Sequence, residues 1–190
     1  MDYYAWGVMR AVISIAIGVI ATIIAVIGIW MQIPPDKLEL DLIDGTFADV
    51  DIINNQRFPS RFFHVAVRNK HKRKTARHCN VFLTSLKDTN TGEEYIKQPL
   101  ALKWRGYPEV SIDIFHNHYQ KLDSFWVIKN QPDILRLNTF LDSNSLLPRV
   151  QVQVSLIAEY YVSSDNFKTA KGIFIIHLDK DLNKVSLSKK

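Results

Sequence analysis

The first long pattern in the chain is an unbroken apolar run from Ala11 to Trp30 that contains no charged residue. A helix rises about 1.5 Å per residue, so roughly 20 such residues cross a hydrocarbon core about 30 Å thick. Trp6 and Trp30 bracket the run, and tryptophan favours the membrane–water interface. The sequence therefore predicts a transmembrane anchor over residues 1–33, with Trp6 and Trp30 as the interface residues.

A cleaved signal peptide is the alternative interpretation of this run. The apolar core of a signal peptide is about 7–15 residues long and leads into small residues at the cleavage site. Here the run is longer and continues into Met31-Gln32-Ile33-Pro34, which favours an uncleaved, single-pass anchor. Arg10 and the terminal amine lie on one side and Lys37 on the other. Because basic residues tend to stay cytoplasmic, we expect the main domain to be extracytoplasmic.

After Pro35 the apolar positions alternate with polar ones instead of running together. The clearest example is residues 149–162, where apolar side chains occupy nearly every second position, as in a sheet with one solvated face. Residues 132–142 fit either a short helix or an edge strand. Further strands are predicted at residues 38–43, 62–67, 79–86, 100–104, 110–114, 122–128 and 172–178.

These short strands are separated by turn signals, and helical periodicity is nearly absent. The pattern predicts a mainly β fold, in which a single N-terminal transmembrane helix precedes an antiparallel β-sandwich domain over residues 34–190. Residues 62–67 and 79–86 are expected to pair as a hairpin with a long basic connection. Residues 172–178, apolar on both faces, are expected to form the closing strand.

The net charge of +5 is concentrated in residues 68–78, which carry six basic residues and no acid. Such a loop can neutralise the phosphates of anionic lipid headgroups, of a nucleotide or of nucleic acid, or it can contact an acidic partner. A solvated turn without a ligand is the alternative, and we do not expect the run to become ordered by itself. The loop has no aromatic residue, which disfavours single-stranded nucleic acid. The candidate binding residues are Arg68, Lys70, Lys72, Arg73, Lys74 and Arg77.

His116 and His118 are the candidate metal ligands. On one strand, two positions apart, they would share a face and could bind zinc or copper with a third ligand from a neighbouring strand. Ordinary residues at the rim of a sheet are the alternative, and no metal or other cofactor is predicted. Candidates for a third ligand by residue type are His64, His78, Cys79 and His177.

Motifs of catalysis are absent from the sequence. There is no Gly-rich phosphate loop, no Gly-x-Ser-x-Gly elbow and no His-Glu-x-x-His pattern. Cys79 is the single cysteine, so no intramolecular disulfide forms, and its place in an expected strand favours a core residue over a nucleophile. The sequence therefore predicts no catalytic residues and a protein that is not an enzyme.

Two short segments carry a resemblance to a known class of domain. Val65-Ala66-Val67-Arg68-Asn69, followed by Ala76-x-x-Cys79-x-Val81-x-Leu83, resembles the V-x-V-x-N, turn, A-x-x-V-x-V-x-L pattern of prokaryotic immunoglobulin-like adhesion and cell-surface domains. The resemblance covers residues 65–83 and implies an immunoglobulin-like sandwich. This chain has a long basic loop where those domains usually have a short turn with glycine, and no binding residue is carried over.

Two function hypotheses follow from the anchor and the β pattern. The first is a non-catalytic module that binds or assembles with another membrane or surface protein. The second is a membrane-tethered sensor whose basic loop binds a phosphate-bearing ligand such as a nucleotide, and it requires the reverse orientation, with the domain facing the cytosol. The lipid bilayer is an expected partner in both, and small residues four apart in the anchor, Ser14, Gly18 and Thr22, offer a face for self-association. Aromatic residues that fill the core or form a patch for a partner are Trp104, Tyr107, Phe125 and Trp126.

Overall fold

The structure is a computed structural model that describes residues 3–32, 38–53, 56–96, 98–137, 139 and 154–190. The chain divides into two compact units, Met1–Pro34 and Pro35–Lys190. The first unit contains one helix, α1 (Tyr3–Gln32). The second unit is built from strands, so the prediction of a mainly β chain with one apolar N-terminal helix is confirmed.

Helix α1 is long and apolar enough to cross a membrane. The segment Trp6–Ile29 has 24 residues and a mean hydropathy of 2.9, and none of its most apolar stretch is buried within the protein. The guanidinium of Arg10 lies 5.2 Å from the centre of the Trp6 ring, whereas the side chain of Trp30 lies outside the described part. The Thr22 hydroxyl donates a hydrogen bond to the Gly18 carbonyl at 2.8 Å. Self-association through this face stays a prediction.

The second unit contains ten strands among the described residues, and most coincide with the alternating segments of the sequence. Residues 149–153 of the long expected strand lie outside the described residues. The strands are β1 (Leu38–Ile53), β2 (Gln56–Asn69), β3 (Ala76–Asp88), β4 (Leu100–Ala101), β5 (Ile112–Ile114), β6 (Tyr119–Ile128), β7 (Gln131–Leu137), β8 (Ser155–Ser163), β9 (Ala170–His177) and β10 (Ser186–Lys189).

The strands form two antiparallel sheets that enclose one core. Sheet 1 has the order β1-β2-β6-β7, and sheet 2 has the order β10-β9-β8-β3-β4, with β5 also paired to β3. The sheets approach closely at Gly172, where an added Cβ would lie 3.0 Å from the Leu40 Cβ. At the same edge the Lys189 ammonium donates to the Leu40 carbonyl at 2.9 Å, which joins β10 to β1.

The expected hairpin between residues 62–67 and 79–86 is wrong. β2 pairs with β1 on one side and β6 on the other, so neither of its edges is free for β3. β3 instead pairs with β8 in the opposite sheet. The basic connection therefore carries the chain across the core from one sheet to the other.

The ambiguous segment, residues 132–142, is resolved as far as it is described. Its first part belongs to β7, which pairs with β6 at the edge of sheet 1, so the edge-strand alternative is correct there, and residues 138 and 140–142 lie outside the described part.

β9 is not the last strand, because β10 follows it and pairs with it. Only one face of β9 lies in the core, and Ile173 on the other face is 39% exposed.

A buried hydrogen bond links the two sheets between Ser124 on β6 and Tyr160 on β8. Their hydroxyl oxygens are 2.5 Å apart, and both residues are buried. Either single change, Tyr160→Phe or Ser124→Ala, leaves a buried hydroxyl without its partner and is expected to lower the free energy of unfolding by about 2 kcal/mol. The double variant is expected to lose less than the sum of the two single losses.

The measurement is denaturant unfolding of the full chain in detergent, followed by tryptophan fluorescence. Losses that simply add in the double variant would show that the two hydroxyls do not interact.

Candidate functional site

The basic connection between β2 and β3 is ordered by one buried side chain. The Asn69 amide donates to the carbonyls of Lys74 at 2.8 Å and Ile114 at 2.9 Å, and its oxygen accepts the backbone N–H of His71 at 3.0 Å. Asn69 is fully buried, so these bonds replace contacts with water. The basic run is thus held in part by Ile114, which lies outside it, and the expectation that the run does not order by itself stays a prediction.

His71 fixes the tip of this loop. Its Nδ1 accepts the backbone N–H groups of Arg73 at 3.1 Å and Lys74 at 3.0 Å, which folds the chain into a turn. The ring also packs edge-on against Phe167, with 5.9 Å between ring centres. The side chains of Lys72, Arg73 and Lys74 are left exposed to solvent.

Two further turns meet the basic loop at this end of the domain. The backbone N–H of Asn69 donates to the His118 carbonyl at 2.9 Å, which joins the turn at residues 115–118. Asn166, in the turn at residues 164–169, accepts the N–H of Arg77 and donates to the Thr75 carbonyl, both at 2.9 Å. We call the loop 70–75, Arg77 and the turns 115–118 and 164–169 the cationic end.

Acidic partners neutralise two of the six candidate residues. Arg68 lies 3.3 Å from an Asp41 carboxylate oxygen, and Lys70 forms an ion pair with Glu39. The others are exposed, and no carboxylate among the described residues forms an ion pair with them. Lys168, from the third turn, adds another exposed positive charge. The exposed and unneutralised cations of the cationic end are Lys72, Arg73, Lys74, Arg77 and Lys168.

An open groove of about 500 Å³ lies beside the turn at residues 115–118. The Lys121 ammonium, on its wall, sits 5.9 Å from the centre of the Tyr119 ring. Two cationic side chains and an aromatic ring in one concave surface are suited to a phosphate group joined to a flat ring. The groove is lined by Arg105, Asn117, His118, Tyr119, Gln120 and Lys121.

The structure places His116 and His118 in a turn and not on a strand face, so that part of the prediction is wrong. Asn117 between them has a φ of 58°, a left-handed conformation that breaks the strand alternation. Both histidines are exposed. Over the part of the chain that the structure describes, no three His, Cys, Asp or Glu side chains are grouped so as to hold a metal ion.

Cys79 lies in the core, where burial raises the pKa of its thiol to about 12.

The four aromatic candidates divide into two pairs. Trp104 and Phe125 are buried in the core. Trp126 is half-buried and stacks on Phe62 with 5.4 Å between ring centres, and Tyr107 is 42% exposed.

A buried polar cluster in sheet 1 was not predicted. His64 is 1% exposed, with its Nδ1 2.7 Å from an Asp123 oxygen and its Nε2 2.9 Å from the Thr46 hydroxyl. An acid, an imidazole and a hydroxyl in series also occur in hydrolases, but here Arg105 Nη1 lies 3.3 Å from the same Nε2. The lone pair that a general base would use is thus already shared. The 2.7 Å contact between His64 Nδ1 and Asp123 Oδ1 lacks hydrogen-bond geometry, and among the described residues both atoms are buried without a hydrogen-bond partner. No sequence signal links its members, because they come from four separate segments.

The outer face of sheet 2 carries an apolar patch. The Phe82 and Tyr161 rings stack with 4.9 Å between their centres, Ile157 pairs directly with Ile175 across two strands, and Ile173 is 39% exposed. A groove of about 400 Å³ on this face is lined in part by Glu159 and Lys171. We call Phe82, Ile157, Tyr161, Ile173 and Ile175 the outer patch.

His78, next to the cationic end, is expected to titrate above its ordinary pKa of 6.5. Its Nδ1 lies 2.5 Å from an Asp165 oxygen, and this hydrogen bond and the Asp165 charge raise the pKa of His78, with a smaller contribution from Asp113. The protonated pair stabilises the turn below the unfolded pKa, and this stabilisation is lost as the pH rises through the folded pKa.

An NMR titration of the His78 ring should therefore give a midpoint above 6.5 that falls in the variant Asp165→Asn. An unchanged midpoint in that variant would contradict the assignment of Asp165 as the cause.

Comparison with known proteins finds no relative of this chain. No protein-family model, no curated protein and no solved structure matches it. Function is therefore inferred from the charge, exposure and geometry of the described residues.

Proposed function

We propose that the chain is a single-pass, membrane-anchored and non-catalytic module that binds another membrane protein through the outer patch. The observation that carries the proposal is the set of apolar side chains on the solvent side of sheet 2. The outer face of an antiparallel sheet is ordinarily polar where water covers it. Contiguous apolar surface with a polar rim is typical of protein-binding sites.

The composition of the outer patch fits such a site. Aromatic and β-branched side chains offer large contact area at a low loss of conformational entropy. Glu159 lies opposite Ile173 across the strand pair, and Lys171 lies opposite Tyr161. Glu159 therefore lies between Ile157 and Tyr161 within the patch, and Lys171 lies at its edge; these two charges can fix the orientation of a partner.

The membrane anchor supports a partner in the same membrane. α1 is long and apolar enough to span, and a tethered domain meets membrane neighbours at a high effective concentration. We propose that the domain lies on the extracytoplasmic side. A reporter fused after Lys190 should then report that side, and cytoplasmic activity of the reporter would contradict this sidedness.

We also propose that the domain is immunoglobulin-like. In support, β2 and β3 lie in opposite sheets, and β3, β8 and β9 are neighbours, as strands B, C, F and G are in that fold. The Asn69 that ends β2 and the buried Ala76 that opens β3 match the segments that carry the resemblance. The order of sheet 1 differs, because its fourth strand, β7, follows its neighbour β6 along the chain.

Photo-crosslinking in the native membrane tests the binding proposal. A photoreactive amino acid replaces Ile173 in the full chain, and a matched control replaces Val110, which is 47% exposed and lies outside the outer patch. We expect one discrete adduct from position 173 and little from position 110. The adduct should weaken several-fold when Ile175→Ser interrupts the apolar surface.

Equal crosslinking from both positions, or none from position 173, would contradict the proposal. An adduct of twice the 21.9 kDa chain mass would identify a second copy as the partner. Unfolding curves of the Ile175→Ser chain check that the change acts on the surface and not on the fold.

The groove beside Tyr119 favours a second candidate function, the binding of a phosphate-bearing ligand such as a nucleotide. Arg105 and Lys121 both line this groove, so it offers two cations in one concave surface. A nucleotide that binds there should raise the melting temperature of the full chain in detergent. The variant Lys121→Glu should abolish that shift, and the far-side variant Lys87→Glu should preserve it. No shift with any nucleotide would exclude this candidate.

A further inference from the structure

We infer that the cationic end binds the anionic headgroups of the bilayer that holds α1, so that the domain docks on its own membrane. This inference shares with the proposed function only the premise that α1 stays in the membrane. It concerns a different surface from the outer patch.

The chain enters the domain at the cationic end. β1 begins at Leu38, which pairs with Asn69, the last residue before the basic loop. Only residues 33–37 separate Leu38 from the end of α1 at Gln32. Whatever the arrangement of the two units, a link of this length reaches at most about 20 Å. A link of this length permits the cationic end to come within range of the headgroups.

The charges at this end are free to bind an anion. Lys72, Arg73, Lys74, Arg77 and Lys168 are exposed, and no described carboxylate is paired with them. Basic residues near an anionic membrane surface are attracted over about one Debye length, roughly 10 Å. Because the loop is already ordered by its hydrogen bonds, binding loses little conformational entropy.

The far end of the domain has no comparable excess of positive charge. The turn after β3 carries Glu93 and Glu94, and the turn after β9 carries Asp179 and Asp181 beside Lys180 and Lys184. The cationic end has five exposed cations and Asp165 as its exposed acid, so an anionic surface attracts this end more strongly than the far end, which orients the domain.

An exposed aromatic side chain distinguishes a lipid surface from other anions. Phe115 begins the turn at residues 115–118 and is 62% exposed. It follows Ile114, whose carbonyl accepts the Asn69 amide, so it lies beside the cations. An exposed apolar ring at the same end of the domain as the basic side chains suits the boundary between headgroups and acyl chains. The cations are spread over two loops, which favours many headgroups over a single phosphate.

The experiment uses the full chain reconstituted in nanodiscs. The variant His116→Cys carries an environment-sensitive fluorophore next to Phe115, and the native Cys79 is buried with a pKa near 12, so it does not compete for the label. Nanodiscs contain phosphatidylcholine alone or with phosphatidylglycerol. We expect a blue-shifted emission that lipid nitroxides quench in the anionic nanodiscs only, and a return towards the neutral value in high salt.

Two triple variants with the same change in net charge provide the matched comparison. Lys72→Glu, Arg73→Glu and Lys74→Glu together should reduce the quenching to the level seen in neutral nanodiscs. Lys129→Glu, Lys180→Glu and Lys184→Glu change exposed residues at the far end and should leave it unchanged. Phe115→Ser should reduce the blue shift while the charge dependence remains.

Identical emission in the two lipid compositions, or equal losses in the two triple variants, would overturn the inference. So would competition by inorganic phosphate beyond that of chloride at equal ionic strength, which would mark a site for free phosphate. A signal that appears only with an added acidic protein would assign the cationic end to a protein. Failure of the chain to copurify with nanodiscs would overturn this inference and the proposed function together. In every other case, crosslinking at Ile173 distinguishes a failure of this inference from a failure of the proposed function.

Discussion

Replacing Phe125 by alanine is expected to lower the free energy of unfolding by about 4 kcal/mol. Phe125 is fully buried on β6, and its ring stacks on Phe63 with 4.5 Å between ring centres and 11° between planes. Truncation removes the transfer free energy of the ring, leaves a cavity between the sheets and ends the stacking contact. The neighbouring strands are held by their own ladders, so they cannot collapse fully into the space.

The same substitution at Phe115 is the matched control, because that ring is 62% exposed. There we expect a change within about 0.5 kcal/mol. Denaturant unfolding of the full chain in detergent measures both variants. Similar losses at the two positions would mean that Phe125 is not part of a packed core.

Replacing Asn69 by alanine is expected to have the second largest effect, a loss of about 3 kcal/mol. The change removes three hydrogen bonds and leaves the carbonyl of Ile114 buried without its donor. Because the Asn69 side chain also holds the basic loop, the backbone amides of the loop should exchange with deuterium faster in the variant than in the native chain.

Asn183→Ala is the control for this change, since among the described residues that side-chain amide bonds only to Asp181, at the surface. We expect it to alter the unfolding free energy by less than about 0.5 kcal/mol. Fast exchange at residues 71–75 without any loss of stability would show that Asn69 orders the loop but does not support the fold.

The strands themselves could be predicted because alternation is a local property. The inward positions of β8, from Leu156 to Val162, are buried as the pattern indicates. Strand pairing could not be predicted in the same way. Whether β2 pairs with β3 depends on β6. That strand lies some 60 residues further along the chain and pairs with β2 at the edge that β3 would need. β10 was missed because only Leu187 among its residues packs on the core.

The candidate site shows the same division between local and distant information. The basic residues of the loop lie close together in the sequence, so the charge of the loop was identified from the sequence alone. Its order depends on Ile114, 45 positions from Asn69. The His64 cluster is more distributed still, since Thr46, Arg105 and Asp123 reach it from three other segments. Only the folded chain brings these residues together.

The contact between β1 and β10 sets the order of events when the protein is made. Lys189 binds the Leu40 carbonyl across 149 positions of sequence. At about 5–20 residues per second, a ribosome needs roughly 7–30 s to synthesise that interval. α1 precedes this interval in the chain and can enter the membrane early, while β1 still lacks its contact with β10. The nascent domain therefore lacks this contact, and is exposed to chaperones and proteases, until Lys189 has been synthesised.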